Sequence, residues 1–347
     1  MIKIAASAID FTIALVAAFV ITITLTRRFC DSASCMHILD HPNERSLHSR
    51  PTPRSGGVAI FFGLSTAVAI WGVGSGLNSS LYGLAAGAIF VSILSFVDDW
   101  KGLSVRVRLP GHILAASFLV FGGLTISVIE LPGVAWILSE WLGILISLLF
   151  LVWMLNLYNF MDGMDGFAAG MTVIGFGTFA VLGYQAGNTV FLTFNLIVVA
   201  ATAGFLYFNF PPARIFMGDT GSSLLGLLAG GLSIYGVREG VFPLWIALLV
   251  FSPFILDATI TLLRRFGQGE RVWEAHRSHY YQRLVQFGWG HRRTVLYEYA
   301  LMLACGLTAM FAQHMSSAGQ VVLIIFWCLA YSLIMIGIHL MEQKKSS

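Results

Sequence analysis

Long stretches without a charged side chain dominate the chain, and they predict membrane-spanning helices. No Asp, Glu, Lys or Arg occurs at 55–97, 166–213 or 299–341. About 20 apolar residues are needed to cross the hydrocarbon core of a bilayer, so each stretch is long enough for two helices. Polar and glycine-containing breaks (GSGLNSSLYG, YQAGN and HMSSAGQ) divide the three stretches.

The same pattern along the rest of the chain predicts an all-α, polytopic integral membrane protein with a single domain over residues 1–347. The eleven predicted helices lie near 8–26, 56–75, 81–97, 109–127, 136–157, 166–184, 189–208, 221–236, 241–261, 295–313 and 320–341. Two of them, 81–97 and 221–236, are short, so ten helices is the alternative. The composition agrees, because only 11% of the residues are charged, against about 25% in a soluble domain.

Charge placement predicts the orientation of the protein. With eleven helices, all of the 20 Lys and Arg residues except Lys3 and Arg238 fall on one side. Loops rich in Lys and Arg stay in the cytoplasm, which predicts an N-terminus outside and a C-terminus in the cytoplasm. We call this basic side the predicted cytoplasmic face. The net charge of +3 is then a membrane-surface property rather than a nucleic-acid signal.

Acidic and carboxamide side chains collect at the predicted cytoplasmic face. The stretch NLYNFMDGMDGFAAG (156–170) contains Asn156, Asn159, Asp162 and Asp165 beside long apolar segments. The other acids are Asp98 and Asp99 after the third predicted helix, Asp219 before the eighth, and Asp257 about one turn inside the ninth. Acids next to hydrocarbon are costly and are functional candidates by default. Their convergence on one face therefore predicts a functional site.

The side chains in this group suit a hard metal ion and phosphate. Carboxylates and a carboxamide, without a Cys or His pair among them, favour magnesium, which takes one or two carboxylates together with substrate phosphates. Arginines in the same loops can bind phosphate oxygens in a bidentate way. These features predict phosphoryl transfer with one reactant in the lipid. Taken singly, each motif has a structural alternative: an exposed helix end at DDW, turn residues at DGMDG, and a helix N-cap at GDTGS.

At this point the motifs resemble those of the polyprenyl-phosphate N-acetylhexosamine-1-phosphate transferase superfamily, in glycosyltransferase family 4. HPNERSLHSRPTPRSGGVAI resembles the first cytoplasmic loop of that family, and FVDDWKGLS its aspartate-pair motif. NLYNFMDGMDGFAAG resembles the asparagine–aspartate motif, and FMGDTGSSLLG the third acidic motif. AHRSHYYQRL is similar to the histidine motif of the branch that initiates bacterial O-antigen chains. The resemblance covers nearly the whole chain and keeps the order of the motifs.

The resemblance implies an enzyme of the bacterial inner membrane. It would transfer an N-acetylhexosamine-1-phosphate from a UDP-sugar to undecaprenyl phosphate, release UMP, and start O-antigen, lipopolysaccharide or related envelope glycan synthesis. The implied cofactor is Mg²⁺, with Mn²⁺ as a substitute. The implied partners are the two substrates and the bilayer, with no nucleic acid and with a homodimer left open. The donor sugar is N-acetylglucosamine or a 6-deoxy form such as N-acetylfucosamine or N-acetylquinovosamine.

The resemblance also implies roles for individual residues. Asp98 and Asp99 would face the lipid phosphate, one of them as a base or a phosphate-positioning group. The other implied catalytic residues are Asp162 and Asp165, in the nucleotide-sugar pocket, and His276 and His279, near the donor diphosphate. The implied metal ligands are Asn159 and Asp219. The predicted substrate-binding residues are Asn156, Arg54, Arg108, Asp257, Arg271 and Arg277.

The histidine motif departs from that of some relatives. His276 and His279 are separated by Arg277 and Ser278, whereas peptidoglycan and enterobacterial-type relatives have a denser histidine cluster. This difference argues against a muramoyl-pentapeptide donor. The aromatic residues Trp273, Tyr280 and Tyr281 in the same loop are candidates for an apolar wall beside a 6-deoxy sugar.

A secondary transporter and a membrane prenyltransferase are the two alternatives to this interpretation. A secondary transporter would keep its acids near the bilayer midplane and often shows repeat symmetry, whereas these acids lie at one face. A membrane prenyltransferase would carry aspartates four residues apart on helices, whereas Asp162 and Asp165 are three apart among glycines. UMP release from a UDP-sugar favours the transferase, and pyrophosphate release would favour the prenyltransferase.

Overall fold

The computed structural model describes residues 2–42, 47–75, 78–271 and 276–346. Helices account for most of these residues. In chain order they are α1 Ile2–Phe29, α2 Gly56–Ser75, α3 Ser79–Lys101, α4 Val105–Phe121, α5 Glu140–Met161, α6 Phe167–Gln185, α7 Thr189–Asn209, α8 Gly218–Arg238, α9 Leu244–Val250, α10 Ser252–Gly267, α11 Tyr280–Leu284, α12 Gly290–Ala312 and α13 Ser317–Ser346. A π-helical turn, Val285–Trp289, joins α11 to α12.

The protein is a multi-pass membrane protein. Within the described ranges, eight helices are long and apolar enough to cross a membrane, or nine if α9 and α10 form one broken span. Helices α2 and α4 lie at predicted positions but are too short to count as membrane-spanning by length and composition. The apolar part of α2 covers Gly56–Gly72. Helix α4 has 17 residues and contains Arg106 and Arg108 in its first turn. Eleven spans, and the orientation of the termini, therefore stay predictions.

Helix α8 is the central element of the fold. Nearly all of its residues are buried, and it packs against α2, α3 and α5. Small residues allow this close approach: a Cβ atom on Gly57 would lie 2.1 Å from the backbone nitrogen of Gly221, and one on Gly226 would lie 2.7 Å from the carbonyl oxygen of Met154. The first turn of α8, which contains Asp219, is therefore fixed by the helices around it.

Between α4 and α5, the structure differs from the sequence prediction. The predicted helix 109–127 continues past the end of α4 at Phe121, and the predicted helix 136–157 begins inside a strand. The residues between the two helices form an antiparallel hairpin, with strands β3 Val128–Leu131 and β4 Val134–Ile137. The two strands meet at a Pro–Gly turn, where Gly133 adopts φ +81°. Valine, isoleucine and tryptophan favour strands, and Pro–Gly is a turn signal, so local chemistry overrides the apolar pattern here. A second, shorter pair joins β1 Leu39–Asp40 to β2 Thr52–Pro53.

The ninth predicted helix, 241–261, is also different, because it is broken. Helices α9 and α10 meet at Phe251 with a bend of 82°. Pro253 lies in the first turn of α10, where its missing N–H costs no hydrogen bond. The hydroxyl of Ser252 donates to the carbonyl of Leu249 over 2.7 Å and lies 2.6 Å from the hydroxyl of Tyr331. Asp257 lies in α10, after this break.

Candidate active site

A polar cavity of about 350 Å³ lies where the ends of α3, α5 and α8 meet. The first loop, the segment between α5 and α6, and the region around α11 and the start of α12 complete its wall. The residues that line it are Asp40, Leu47, His48, Arg54, Asp99, Asn159, Asp162, Gly163, Met164, Asp165, Asn209, Phe216, Gly218, Asp219, Gln282 and His291. Residues that are far apart in the sequence therefore meet at one site.

Asp99 caps the N-terminus of α8 from another helix. One carboxylate oxygen accepts a hydrogen bond from the backbone N–H of Asp219 over 2.9 Å. The other oxygen accepts from the backbone N–H of Thr220 over 2.9 Å and from its hydroxyl over 2.7 Å. The first N–H groups of a helix lack hydrogen-bond acceptors within the helix. The carboxylate of the buried Asp99 is the acceptor for two of them in α8. GDTGS is thus the capped start of a helix, as the structural alternative expected. The capping side chain, however, is Asp99 of the aspartate pair and not a residue of GDTGS.

Gly218 makes this arrangement possible. It adopts φ +71°, and a Cβ atom would lie 2.3 Å from the carbonyl oxygen of Arg54 and 3.0 Å from both carboxylate oxygens of Asp99. A residue with a side chain is disfavoured at this φ and would also push the carboxylate away. The guanidinium of Arg54 donates to the carbonyl oxygen of Asp99 and lies 3.8 Å from Asp40. The first loop is therefore fastened to the start of α8.

The two predicted metal ligands are in contact. The side-chain amide of Asn159 donates to a carboxylate oxygen of Asp219 over 2.9 Å. Arg108 lies 3.6 Å from the other oxygen of Asp219 and 3.2 Å from the carboxylate of Asp98. Arg108 thus links the first aspartate of the pair to the start of α8. Neither Asp98 nor Arg108 lines the cavity itself, so their catalytic and substrate-binding roles stay predictions.

Asp162 has unfavourable electrostatic surroundings. It follows α5 directly and lines the cavity. Burial, and then the negative charges of Asp219 and Asp99, raise the pKa of Asp162 well above its usual range. Acids held together in a poorly solvated pocket repel one another. A cation bound among them would relieve this repulsion.

Asp165 is held by two separate parts of the chain. One oxygen accepts from the backbone N–H of Ala213 over 2.9 Å, and the other lies 3.0 Å from Nδ1 of His291. Asn209 reinforces the same region, because it accepts from the N–H of Gly166 and donates to the carbonyl of Ile215, both over 2.9 Å. These contacts fix the DGMDG loop against the segment between α7 and α8.

Asp257 caps a second helix, and it does not line the cavity. Its carboxylate accepts from the backbone N–H groups of Tyr280 over 2.9 Å and Tyr281 over 3.0 Å, at the start of α11. It also accepts from the hydroxyl of Thr261 over 3.1 Å and lies 3.2 Å from Nδ1 of His279. This geometry orients the buried His279 ring. Asp257 therefore holds the start of α11 in place, and its predicted role in substrate binding stays a prediction.

The remaining predicted residues are placed around the cavity rather than in its wall. Asn156 donates to the carbonyl of Val152 in its own helix over 2.7 Å. The ring of His276 lies 4.7 Å from that of His279, and its Nδ1 lies 2.9 Å from the hydroxyl of Ser278. Arg271 and Arg277 are exposed. Trp273 lies outside the described residues.

Five cavity residues with polar side chains were not predicted from the sequence: Asp40, His48, Asn209, Gln282 and His291. His48 lies within HPNERSLHSRPTPR, the stretch that resembles the first cytoplasmic loop of the family and that contains Arg54. His291 lies in GHRRT, at the start of α12, close after the histidine motif. Both histidines occur beside arginines at the predicted cytoplasmic face, and that shared context is the signal by which they could have been found.

The donor atoms at this site fit a magnesium ion that keeps part of its water. Within the described parts of the chain, no three His, Cys, Asp or Glu side chains are grouped closely enough to form a metal site by themselves. Magnesium is commonly held by one or two carboxylates, with water and substrate phosphates as the other ligands. Asn159 and Asp219, which are joined by a hydrogen bond from the amide nitrogen of Asn159, each carry a side-chain oxygen, and Asp162 lines the same cavity.

The fold and site define a multi-pass membrane protein with a buried, acid-lined cavity at one end of its helix bundle. Known proteins identify its family. The sequence profile of glycosyl transferase family 4 matches residues 81–237. A probable undecaprenyl-phosphate N-acetylglucosaminyl 1-phosphate transferase of Bacillus subtilis (strain 168) is 33% identical over 279 residues, which cover 78% of this chain and 76% of that protein.

Two further relatives have related activities in their names. A decaprenyl-phosphate N-acetylglucosaminephosphotransferase of Mycolicibacterium smegmatis is 34% identical, over 75% of this chain and 71% of the relative. A phospho-N-acetylmuramoyl-pentapeptide-transferase of Moorella thermoacetica is 30% identical, over 75% of this chain and 84% of the relative. The chain therefore belongs to glycosyl transferase family 4, within the polyprenyl-phosphate hexosamine-1-phosphate transferase superfamily.

Proposed function

We propose that the protein is a magnesium-dependent transferase that moves an N-acetylhexosamine-1-phosphate from a UDP-sugar to undecaprenyl phosphate. The names of the relatives support transfer of a hexosamine-1-phosphate to a polyprenyl phosphate. One structural observation carries the proposal: Asn159, Asp162 and Asp219 meet beside Arg54 in one cavity at the end of the bundle. This combination suits a diphosphate with a divalent cation.

The proposed reaction is a displacement at phosphorus. A phosphate oxygen of undecaprenyl phosphate attacks the β-phosphorus of the UDP-sugar, and the bond from that phosphorus to the bridging oxygen breaks. UMP leaves with the bridging oxygen, and the lipid carries a diphosphosugar. A bound magnesium ion would supply charge neutralisation on the diphosphate. A two-step route through an aspartyl phosphate is the alternative, and a trapped phosphoaspartate would favour it.

The side chains of this protein have distinct parts in the proposal. Asn159 and Asp219 would hold the cation, and Asp162 would complete its surroundings. Arg54, already fixed to the backbone of Asp99, would attract the diphosphate toward the start of α8. Asp98 stays our candidate for positioning the lipid phosphate, because Arg108 connects it to Asp219. Asp99 is occupied by the capping contacts to α8, which makes it the less suitable base.

N-acetylglucosamine is the donor sugar that we favour. Two of the three relatives described above are named for it, and the loop around His276 and His279 differs from the denser histidine motif expected with a muramoyl-pentapeptide donor. A 6-deoxy N-acetylhexosamine is the second candidate, because Tyr280 and Tyr281 begin α11 near the cavity. Initiation of an O-antigen chain is the glycan pathway that we propose from the sequence motifs.

A panel of donors tests the proposal directly. Purified protein with Mg²⁺ and undecaprenyl phosphate would receive each UDP-sugar in turn, with UMP measured in solution and the lipid product identified by mass. We expect UMP and an undecaprenyl diphosphate N-acetylhexosamine. Exclusive use of UDP-N-acetylmuramoyl-pentapeptide would contradict the donor assignment. Pyrophosphate release, or no product from any UDP-sugar, would contradict the proposed function.

A further inference from the structure

Helix α11 connects the cavity to the C-terminal helix. On one side, Gln282 lines the cavity, and the hydroxyl of Tyr281 donates to the carbonyl oxygen of Phe160 over 3.1 Å. The close fit is visible at Gly163, where a Cβ atom would lie 2.2 Å from the Tyr281 hydroxyl and 3.1 Å from the Gln282 amide nitrogen. A small shift of α11 would therefore move both the cavity wall and the DGMDG loop.

On the opposite side of α11, Arg283 forms a two-point ion pair with Glu342 of α13. Its Nε donates to one carboxylate oxygen over 2.7 Å, and an Nη group donates to the other. The Arg283 side chain is only 9% exposed, against 37% for Glu342. The guanidinium carbon also lies 4.7 Å from the ring centre of Tyr280. Bidentate pairs of this kind fix orientation as well as distance.

The pair joins residues that are 59 positions apart in the sequence. Helix α11 has five residues, which is too short to be stable alone, so its position depends on outside contacts. Asp257 holds its first turn, Tyr281 holds it to α5, and Glu342 holds its far side. Loss of Glu342 would leave a largely buried guanidinium without its carboxylate, a costly state.

We propose that Arg283 and Glu342 are positioning residues that make the C-terminal helix part of the active site. The ion pair holds α11 against the DGMDG loop and thereby keeps Gln282 in the cavity wall and Tyr281 bound to Phe160. This inference rests on the proposed function for its kinetic consequence, but the structural contact is independent of it. The pair should affect binding of the UDP-sugar and leave binding of the lipid acceptor unchanged.

The first test is kinetic and uses the full-length protein. We expect Glu342→Gln and Arg283→Lys to raise the KM for the UDP-sugar by about fivefold or more, with the KM for undecaprenyl phosphate unchanged. Charge reversal in Arg283→Glu or Glu342→Arg should have a larger effect, and the double variant should recover much of the loss. Gln343→Ala, a change at the exposed neighbour of Glu342, is the matched control and should behave like wild type.

The second test does not require activity. The backbone N–H groups of Tyr280 and Tyr281 are protected by hydrogen bonds to Asp257, and these bonds should open more often when α11 loses its contact with Glu342. Amide hydrogen exchange at residues 280–284 should therefore become faster in Glu342→Gln than in wild type and in Gln343→Ala. Unchanged exchange would overturn the contact itself. Faster exchange with an unchanged donor KM, or a double charge reversal without recovery, would overturn the positioning role. If wild-type protein releases no UMP, the proposed function fails, and the exchange result still decides the contact.

Discussion

Two buried aspartates, Asp99 and Asp257, each cap the start of a helix, but the residues around them differ. Asp99 caps α8, and Asp257 caps α11, each by accepting backbone N–H groups of a helix to which it does not belong. Around the first cap lie Asp162, Asp219 and Asn159 in the cavity wall. Around the second lie a histidine and a hydroxyl group, and Asp257 itself is not among the residues that line the cavity.

The difference separates an acid that holds a helix near a histidine from an acid that holds a helix beside the acid-lined cavity. The Asp99 cap places Asp219 directly beside it at the second position of a rigid central helix. The Asp257 cap places Gln282 in the wall by way of a five-residue helix. We therefore expect changes around the first cap to affect catalysis, and changes around the second to affect donor binding.

The largest expected effect is at the proposed metal ligands. Asp219→Asn and Asn159→Ala should lower the turnover of UMP release by about 100-fold or more, because loss of a charge-stabilising group in a closed site has an effect of this order. Both variants should remain folded in detergent by size-exclusion chromatography. Full activity of either variant at limiting Mg²⁺ would contradict the assignment. Glu140→Gln, at an exposed acid that begins α5, is the control.

The two caps themselves give the next prediction. Asp99→Asn and Asp257→Asn should each destabilise the fold by roughly 1–2 kcal/mol, the usual effect of losing a helix cap. We expect Asp99→Asn mainly to lower kcat, because Asp219 moves with its cap. Asp257→Asn should mainly raise the KM for the donor, because α11 moves. Thermal unfolding and steady-state kinetics measure both effects, and identical kinetic profiles would remove the distinction between the two regions.

A pair of glycines separates backbone strain from crowding at the first cap. Gly218→Ala places a residue with a side chain at φ +71° and also sets its Cβ against Arg54 and Asp99. Gly102→Ala has a similar φ of +67° but nothing within 4 Å of the new Cβ. Gly102→Ala should lose about 1 kcal/mol of unfolding free energy, and Gly218→Ala clearly more, with reduced activity. Equal losses in chemical unfolding would contradict the close approach seen at Gly218.

The smallest expected effect is at Asp162 and concerns pH. Because its pKa in the folded protein is raised, the ionised form destabilises the fold. Wild-type stability should therefore fall as pH rises from about 4, the ordinary carboxyl range, through the raised pKa of Asp162. Asp162→Asn should flatten this decline and melt at a slightly higher temperature at pH 7 without divalent cations. An unchanged slope, or a lower melting temperature, would contradict the electrostatic account.

Much of this molecule could be predicted from its pattern of residues, for physical reasons. Uncharged stretches and the lipid thickness locate the helices well, and motif spacing brings Asn159, Asp162, Asp165 and Asp219 to one cavity. Most of the hairpin at 128–137 lies between two predicted helices, and its strand pairing was not predicted. Residues 136–137 fall inside a predicted helix because apolar strands and apolar helices look alike over short lengths. The break at Phe251 was missed because one proline at the start of a helix is compatible with a continuous span.

The roles of individual acids were harder to predict, because capping in trans has no local signal. Nothing in FVDDW distinguishes an aspartate that faces a cavity from one that accepts N–H groups 120 positions away. The same holds for Asp257, whose partners lie beyond a loop, and for His291, whose contact with Asp165 joins α12 to the DGMDG loop. Only packing decides these contacts.

The central claim is that the cavity around Asp219 binds the divalent cation, whereas the region around Asp257 only positions α11. Electron paramagnetic resonance of Mn²⁺ added with UDP tests this most directly, since it requires no turnover. Wild type and Asp257→Asn should both show a signal from bound Mn²⁺, and Asp219→Asn and Asn159→Ala should lose it. A bound signal that persists in Asp219→Asn and disappears in folded Asp257→Asn would contradict the account.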